Sequence, residues 1–459
     1  MEEWGATRSN AEGQRRQAVV QELLEGFLEM VGTDGPQVVA GVAKLESASR
    51  IIDFRAELLS KDDVVWTGRR PMLQMRVTIL IAAFAAMAIP QTPFHRATQF
   101  EQQPALTIAN DRLEATVSAQ GGALVNLVLR EDPENLSPLW NPIRMARELG
   151  QASRSRTGSM GHFVCVDGFG GGSQEERAAG LPGHGEAQMQ MFEVRDSGKN
   201  GKSGSITLNA RLPLVQENFT RTFRMVDGEN VIYVESALAS EVAFDRPISW
   251  AEHTTIGSPF LQAGVTLSSI SGSRAQNRPY QGAGNPGAER RLASGVNFTW
   301  PLAPGLDGRL IDLTAPPENA HYLDHATVLV DPTLTLGWIA TVNTAKHLIL
   351  GYIFKRDEYP WVQNWGNFPE NGKFARGLEF STQPYDESRR LAVAKSGMFD
   401  APTYRWLPAK SIIRSHFLLF YARTPDSFSK VTTVHLENGR ITIEDSAKTH
   451  IALTASLPL

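Results

Sequence analysis

Three short stretches of this chain hold side chains that can move protons. The first is Leu181-Pro-Gly-His184-Gly-Glu-Ala187, a histidine between glycines, where backbone can approach a ligand closely. The second is Trp250-Ala-Glu252-His253-Thr-Thr-Ile, which sets an aromatic ring and a carboxylate just ahead of an imidazole. The third is Arg376-Gly-Leu-Glu379-Phe-Ser-Thr-Gln-Pro384, preceded by Trp361-Val-Gln-Asn-Trp365. A glutamate between Leu378 and Phe380 that points into a sheet has its pKa raised toward general-base range. Trp361 and Trp365 offer flat faces on which a sugar ring can stack. Each stretch has a plainer reading: His184 in a surface loop, His253 as a structural histidine with Trp250 as core, Glu379 on a solvated face, the tryptophans as packing.

Strands must position these residues. Leu106-Thr-Ile-Ala-Asn110, Leu113-Glu-Ala-Thr-Val117 and Ala123-Leu-Val-Asn-Leu-Val-Leu129 are punctuated by Asn110-Asp111 and Gly121-Gly122, a meander of short strands. The alternation returns in Ser205–Leu212 and Phe219–Met225, and Asp227-Gly228 marks a hairpin into Val231–Leu238. Leu336–Val342, Leu348–Phe354 and Ile412–Tyr421 read as buried or half-buried strands. A last hairpin, Val434–Ile443, turns at Asn438-Gly439. One short helix is expected over Pro142–Leu149, and no fixed-period repeat marks a propeller. Glycine-rich stretches at 168–172 and 281–287 read as loops over the sheet, of the kind that shape ligand sites.

In this order along a β chain, the three stretches resemble the galactose mutarotase-like superfamily, which includes the aldose 1-epimerases. The opening Ile108-Ala-Asn-Asp-Arg-Leu-Glu-Ala-Thr-Val-Ser-Ala-Gln-Gly-Gly122 looks like that family's first hairpin, and the resemblance runs over roughly 105–445. It implies an all-β fold, a large antiparallel β-sandwich of the supersandwich type. It also implies roles: Glu379 takes the proton of the anomeric hydroxyl, His253 protonates the ring oxygen, and His184 holds and polarises the sugar. Ring opening, bond rotation and reclosure then invert the anomeric centre. Such chemistry needs one base and one acid on opposite sides of a hemiacetal, both near neutral pKa. Trp361, Trp365, Asp167, Trp250 and Glu252 are the candidate sugar contacts. The chain departs from the family's motifs. Glu252 precedes His253 where aldose epimerases have asparagine. Gly-His-Gly-Glu replaces Leu-His-Gly-Gly, and Leu-Glu-Phe-Ser-Thr-Gln replaces Leu-Glu-Thr-Gln. These departures bear on the substrate first and the reaction second.

Composition is compatible with a small neutral ligand. The 459 residues carry a formal net charge of −4 and no basic block, which argues against nucleic acid as partner. The single cysteine, Cys165, excludes an intrachain disulfide and a cysteine metal cluster, and reads as a small buried residue. His162 and Asp167, in Gly161-His-Phe-Val-Cys-Val-Asp167, read as structural before they read as ligands. His321 and His325 stand four apart in a loop-like stretch after Pro316-Pro317, a poor metal pair. No metal or cofactor is required by the chemistry.

Residues 72–88 have the anatomy of a secretory signal peptide: Arg76, with Arg69 and Arg70 just upstream, an apolar run from Val77, and Ala86-Met87-Ala88 as the cleavage pattern. The run is shorter than the ~20 apolar residues of a membrane span. Residues 1–71 read as an N-terminal extension or a start-site artefact, 89–104 as a linker, and 105–459 as the sandwich domain, periplasmic or secreted. An exported sugar isomerase is the leading reading. A sugar-binding protein without turnover is the alternative. A module of the kind attached to glycoside hydrolases or polysaccharide lyases is disfavoured, since no helical catalytic partner domain accompanies it.

Overall fold

The structure, a computed structural model, describes residues 93–280, 289–318 and 321–459. The extension, the signal-peptide run, the start of the linker and the glycine-rich stretch at 281–287 lie outside the described residues.

Two large antiparallel sheets face each other, one of 11 strands and one of 8. Six strands of the larger sheet carry the site: β1 (His162–Val166), β2 (Trp250–Gly257), β3 (Gly272–Asn277), β4 (Tyr322–Val330), β5 (Trp361–Phe368) and β6 (Ala375–Ser381). They lie in the order β1-β2-β6-β5-β4-β3. The strand Asn297–Thr299 closes the β3 edge, and the opening meander, His95–Phe100 to Leu124–Leu129, extends the sheet beyond β1. Residues 95–104, read from sequence as linker, belong to this meander. His95–Phe100 pairs with Gln103–Ala109, and Phe94 is buried in the core. The hairpin turn is Glu101-Gln102, both at positive φ, and it lacks the Asn or Gly that would have announced it.

The smaller sheet runs Thr266–Ile270, Leu336–Asn343, Leu348–Lys355, Ile412–Arg423, Val231–Ser240, Glu217–Val226, Ser203–Leu212 and Glu193–Asn200. Its inner face packs on the larger sheet through Phe219, Phe223, Tyr352, Phe417 and Leu419 against Trp250, Ile256, Leu378 and Phe380. Fully burying each such side chain contributes about 1.5–3 kcal/mol. The outer face is covered as well. Val431–Glu437, Arg440–Asp445 and His450–Thr454 form a three-stranded sheet whose Val434, Ile441 and Ile443 pack on Tyr233, Trp338, Ile353 and Phe420. Burial on both faces explains the near-continuous apolar runs of Leu348–Lys355 and Ile412–Arg423.

The expected helix spans Pro142–Glu148, with proline in its first turn and Asn141 accepting from the Arg144 N–H as N-cap. Among the described residues, no helix is long and apolar enough to cross a membrane.

Candidate functional site

Strand alternation divides the candidates. On β2, Trp250, Glu252, Thr254 and Ile256 face the smaller sheet, while Ala251, His253 and Thr255 face outward. The cross-strand registers line up one outward row: Phe163 on β1, His253 on β2, Glu379 on β6, Gln363 on β5, Thr327 on β4 and Gln276 on β3.

His253 and Glu379 touch within this row, so the acid and base expected on opposite sides of a hemiacetal stand instead side by side on one sheet face. Nε2 of the histidine lies 3.2 Å from Oε1 of the glutamate, and both side chains are buried. Nδ1 of His253 is 2.7 Å from the Thr255 hydroxyl, and Phe163 stacks on the imidazole with centroids 4.2 Å apart. Burial drives the His253 pKa well below its ordinary value, helped by the nearby His184. Burial also raises Glu379 to about 8, against the pull of the Arg278 guanidinium. Both shifts favour the uncharged pair, with the proton on Glu379 and a neutral imidazole. Gly377 makes the contact possible. A Cβ there would lie 2.1 Å from Oε1 of Glu379, so the carboxyl occupies the space that the absent side chain leaves.

His184 arrives from a loop and meets His253 edge to face, at 5.2 Å between ring centroids. It sits at φ 64°. Next to it, Gly185 brings the loop onto β1, where an added Cβ would be 2.4 Å from the Val166 carbonyl oxygen. The Gly170 N–H donates to Nδ1 of His184 at 3.3 Å. The imidazole is thereby left with its hydrogen on Nε2, as a donor. Burial lowers its pKa to about 4, so it is neutral at physiological pH. Cys165 is beside it, Sγ 3.5 Å from Nδ1, with a thiol pushed up by burial.

The other candidates go to three different places. Trp365 shares the outward face with Glu379 and Gln363 and stays partly exposed. Trp361 is on that face too, but Leu329, Phe399 and Ala401 cover it and its indole N–H donates to the Pro402 carbonyl at 2.7 Å. Trp250 and Glu252 point to the opposite side. There Glu252 accepts from Arg221 at 2.5 Å, the Trp250 indole at 3.2 Å and Tyr359 at 3.3 Å, and pairs with His162 at 3.0 Å. They form a polar knot between the sheets. Asp167, at φ 48°, turns away at the end of β1 and pairs with Arg389 at 2.8 Å and Arg246 at 3.2 Å.

Other residues meet on this face that no motif joins to His253 and Glu379. His325, expected in a loop, lies on β4 and shares the outward face. Its Nε2 is 2.8 Å from Oε1 of Gln363, and its Nδ1 is 3.2 Å from Arg278. Arg278 follows β3, contacts the Asp386 carboxylate and donates to the Asp386 carbonyl at 3.0 Å. Asp386 belongs to the loop after β6, whose shape is held by Gln383 donating to the Tyr385 and Glu387 carbonyls. An arginine and an aspartate more than a hundred residues apart have no motif. No cluster of His, Cys, Asp and Glu among the described residues is arranged to hold a metal ion.

No family model matches the chain, and no curated protein matches it. Solved structures do. A protein provisionally named a mutarotase, from Salmonella typhimurium, aligns over 74% of this chain and 99% of its own, at 13% identity and a TM-score of 0.47. A galactose mutarotase-like protein from Clostridium acetobutylicum aligns over 72% and 99%, at 12% identity and a TM-score of 0.48. Another, from Lactobacillus casei, aligns over 69% and 100%, at 14% identity and a TM-score of 0.45. The likeness is one of architecture, a large antiparallel β-sandwich, and at these values it bears on neither substrate nor reaction.

Proposed function

We propose that this chain is a carbohydrate-active isomerase resembling the aldose 1-epimerases. The observation that carries the proposal is the buried His253–Glu379 contact of 3.2 Å, with the His184 donor and the part-exposed Trp365 on the same sheet face. In the proposed reaction the Glu379 carboxylate takes the proton of the anomeric hydroxyl as the bond between anomeric carbon and ring oxygen breaks. His253, in its protonated form, gives the proton on Nε2 to the ring oxygen. His184 donates from Nε2 to a sugar oxygen. Rotation exposes the other face of the aldehyde, and the two proton transfers reverse to close the ring. Arg278 favours the ionised Glu379 that the first step needs.

A second reading, a sugar-binding protein without turnover, is favoured by the burial that drives both His253 and Glu379 toward their neutral forms. Polarimetry or NMR on a freshly dissolved pure anomer, read as excess rate over a matched blank, separates the two. Removing a general base costs about 10²–10⁴-fold. Glu379→Gln is therefore expected to abolish the excess rate while sugar binding persists. Binding with no excess rate across a broad aldose panel would leave the second reading.

A further inference from the structure

Beyond the proton-transfer pair, the outward face carries a second polar group with its own supports. Gln363 is fully buried, and its Oε1 is held by two partners, the Asp386 backbone N–H at 3.0 Å and Nε2 of His325 at 2.8 Å. The backbone donor identifies that atom as the oxygen. His325 Nε2 must then carry its hydrogen, which leaves Nδ1 as an acceptor, and Arg278 donates to it at 3.2 Å. Burial and the Arg278 charge lower the His325 pKa to about 3, so the ring is neutral and the relay has one direction. The relay ends in a charged pair that is not sealed: the side chains of Arg278 and Asp386 are 23% and 28% exposed, unlike those of His253 and Glu379 at 11% and 3%. Below it, Gln363 Nε2 and Thr327 Oγ1 are buried without a protein partner, both in the row that contains Glu379.

A pinned guanidinium beside a carboxylate presents donors and acceptors side by side. Two neighbouring ring hydroxyls fit that arrangement, one accepting from the cation and one donating to the anion. The mutual neutralisation of the pair disfavours a sugar phosphate or a sugar acid, which would need an unpaired cation. We infer that Arg278 and Asp386 form the hydroxyl-recognising end of the groove, taking two neighbouring hydroxyls of an aldose ring away from its anomeric carbon, with His325 as the positioning residue that holds Arg278. This rests on the isomerase reading and adds the specificity determinant to it.

The test uses the full chain and varies the sugar as well as the protein. D-glucose, D-galactose and their singly deoxygenated analogues serve as probes, with kcat and KM taken from the excess anomerisation rate. Hydrogen bonds to charged groups imply a loss of about 10–100-fold in kcat/KM for wild type when either of two adjacent hydroxyls is removed. Asp386→Asn is expected to reduce that penalty for one of the two hydroxyls to about 3-fold or less, and Arg278→Lys to do so for the other. His325→Gln is expected to raise KM more than it lowers kcat. Variants that lose activity equally on every sugar would overturn the inference, because a structural role does not distinguish hydroxyls. Wild-type turnover that is indifferent to all deoxygenations would also overturn it and leave the isomerase reading standing. Absence of any aldose binding or turnover would remove both.

Discussion

Gly377→Ala is expected to separate the proposed catalysis from stability in one substitution. The added Cβ would stand 2.1 Å from Oε1 of Glu379, 3.0 Å from its Cδ and 3.1 Å from its Cγ. Ordinary carbon contacts begin near ~3.5 Å, so the carboxyl must retreat by more than ~1 Å. The obstacle is the end of a flexible side chain, and the strand need not move. Retreat breaks the 3.2 Å contact with His253. A misplacement of about 1 Å in a reacting group costs about 10²-fold in rate. Gly377 lies mid-strand in β6 and is not among the residues at positive φ, so alanine fits its backbone. Glycine in a strand interior is about 0.5–1 kcal/mol less stable than alanine. The expected result is an excess anomerisation rate lowered about 100-fold with a thermal midpoint unchanged or slightly raised. NMR line-shape kinetics on a pure anomer and a thermal melt on the same sample measure both. A full excess rate in Gly377→Ala would refute the assignment of Glu379. A collapsed melt would show that the glycine serves the backbone instead.

Burial raises Glu379 to about 8, so the folded chain keeps a proton that the unfolded chain releases near 4.5. The resulting stabilisation is complete below that lower value, declines as pH rises, and is gone once pH passes about 8. Chemical denaturation of Glu379→Gln against wild type should therefore show equal stability at acid pH and a growing advantage for the variant up to that point, while a pH-independent difference would contradict the shift. Glu252→Gln leaves Arg221 buried without its carboxylate and is expected to cost about 3–5 kcal/mol in urea unfolding, with the excess rate of the folded fraction preserved. Trp365→Ala should weaken sugar binding with little effect on the melt. Trp361→Ala should do the reverse, destabilising by about 3–5 kcal/mol; a sugar-binding defect in Trp361→Ala alone would exchange the two roles.

The strands are legible in the sequence because their signals are local. Alternation and turn residues such as Asp227-Gly228 and Asn438-Gly439 need no partner to be read. The same alternation also contained information that the motif reading overrode. Glu252 and His253 are adjacent on one strand and so cannot face the same groove, and Trp250 shares the parity of Glu252. Trp361 and Trp365 do share a face, and parity cannot tell them apart. What separates them is residues 397–402 returning to cover Trp361, a tertiary event. Asp167 has the parity of Phe163 and Cys165, but a positive φ turns it toward Arg246 and Arg389. His325 was misplaced by the two prolines upstream, although Tyr322–Val330 is a strand buried along most of its length. Arg278 and Asp386 come together through the pairing of β3, β4 and β5 and the loop after β6, and no window of sequence contains that pairing.

The His253–Glu379 contact also bears on how the proposed reaction restores itself. Ring opening leaves a proton on Glu379 and none on Nε2 of His253. When the same sugar recloses, both transfers reverse and the pair is reset. When the open-chain sugar departs first, the pair is left as carboxylic acid and neutral imidazole, the form that burial favours. The two groups then lie 3.2 Å apart, Nε2 to Oε1. In the proposed reaction, one proton transfer across that distance returns the charged pair. Arg278 stabilises the carboxylate in that direction, against the cost of burying two charges. The guanidinium is held by Asp386 and His325, outside the proton path itself. In the proposed reaction the work is divided: two neutralisable groups exchange the proton, and a permanent charge favours the ionised carboxylate.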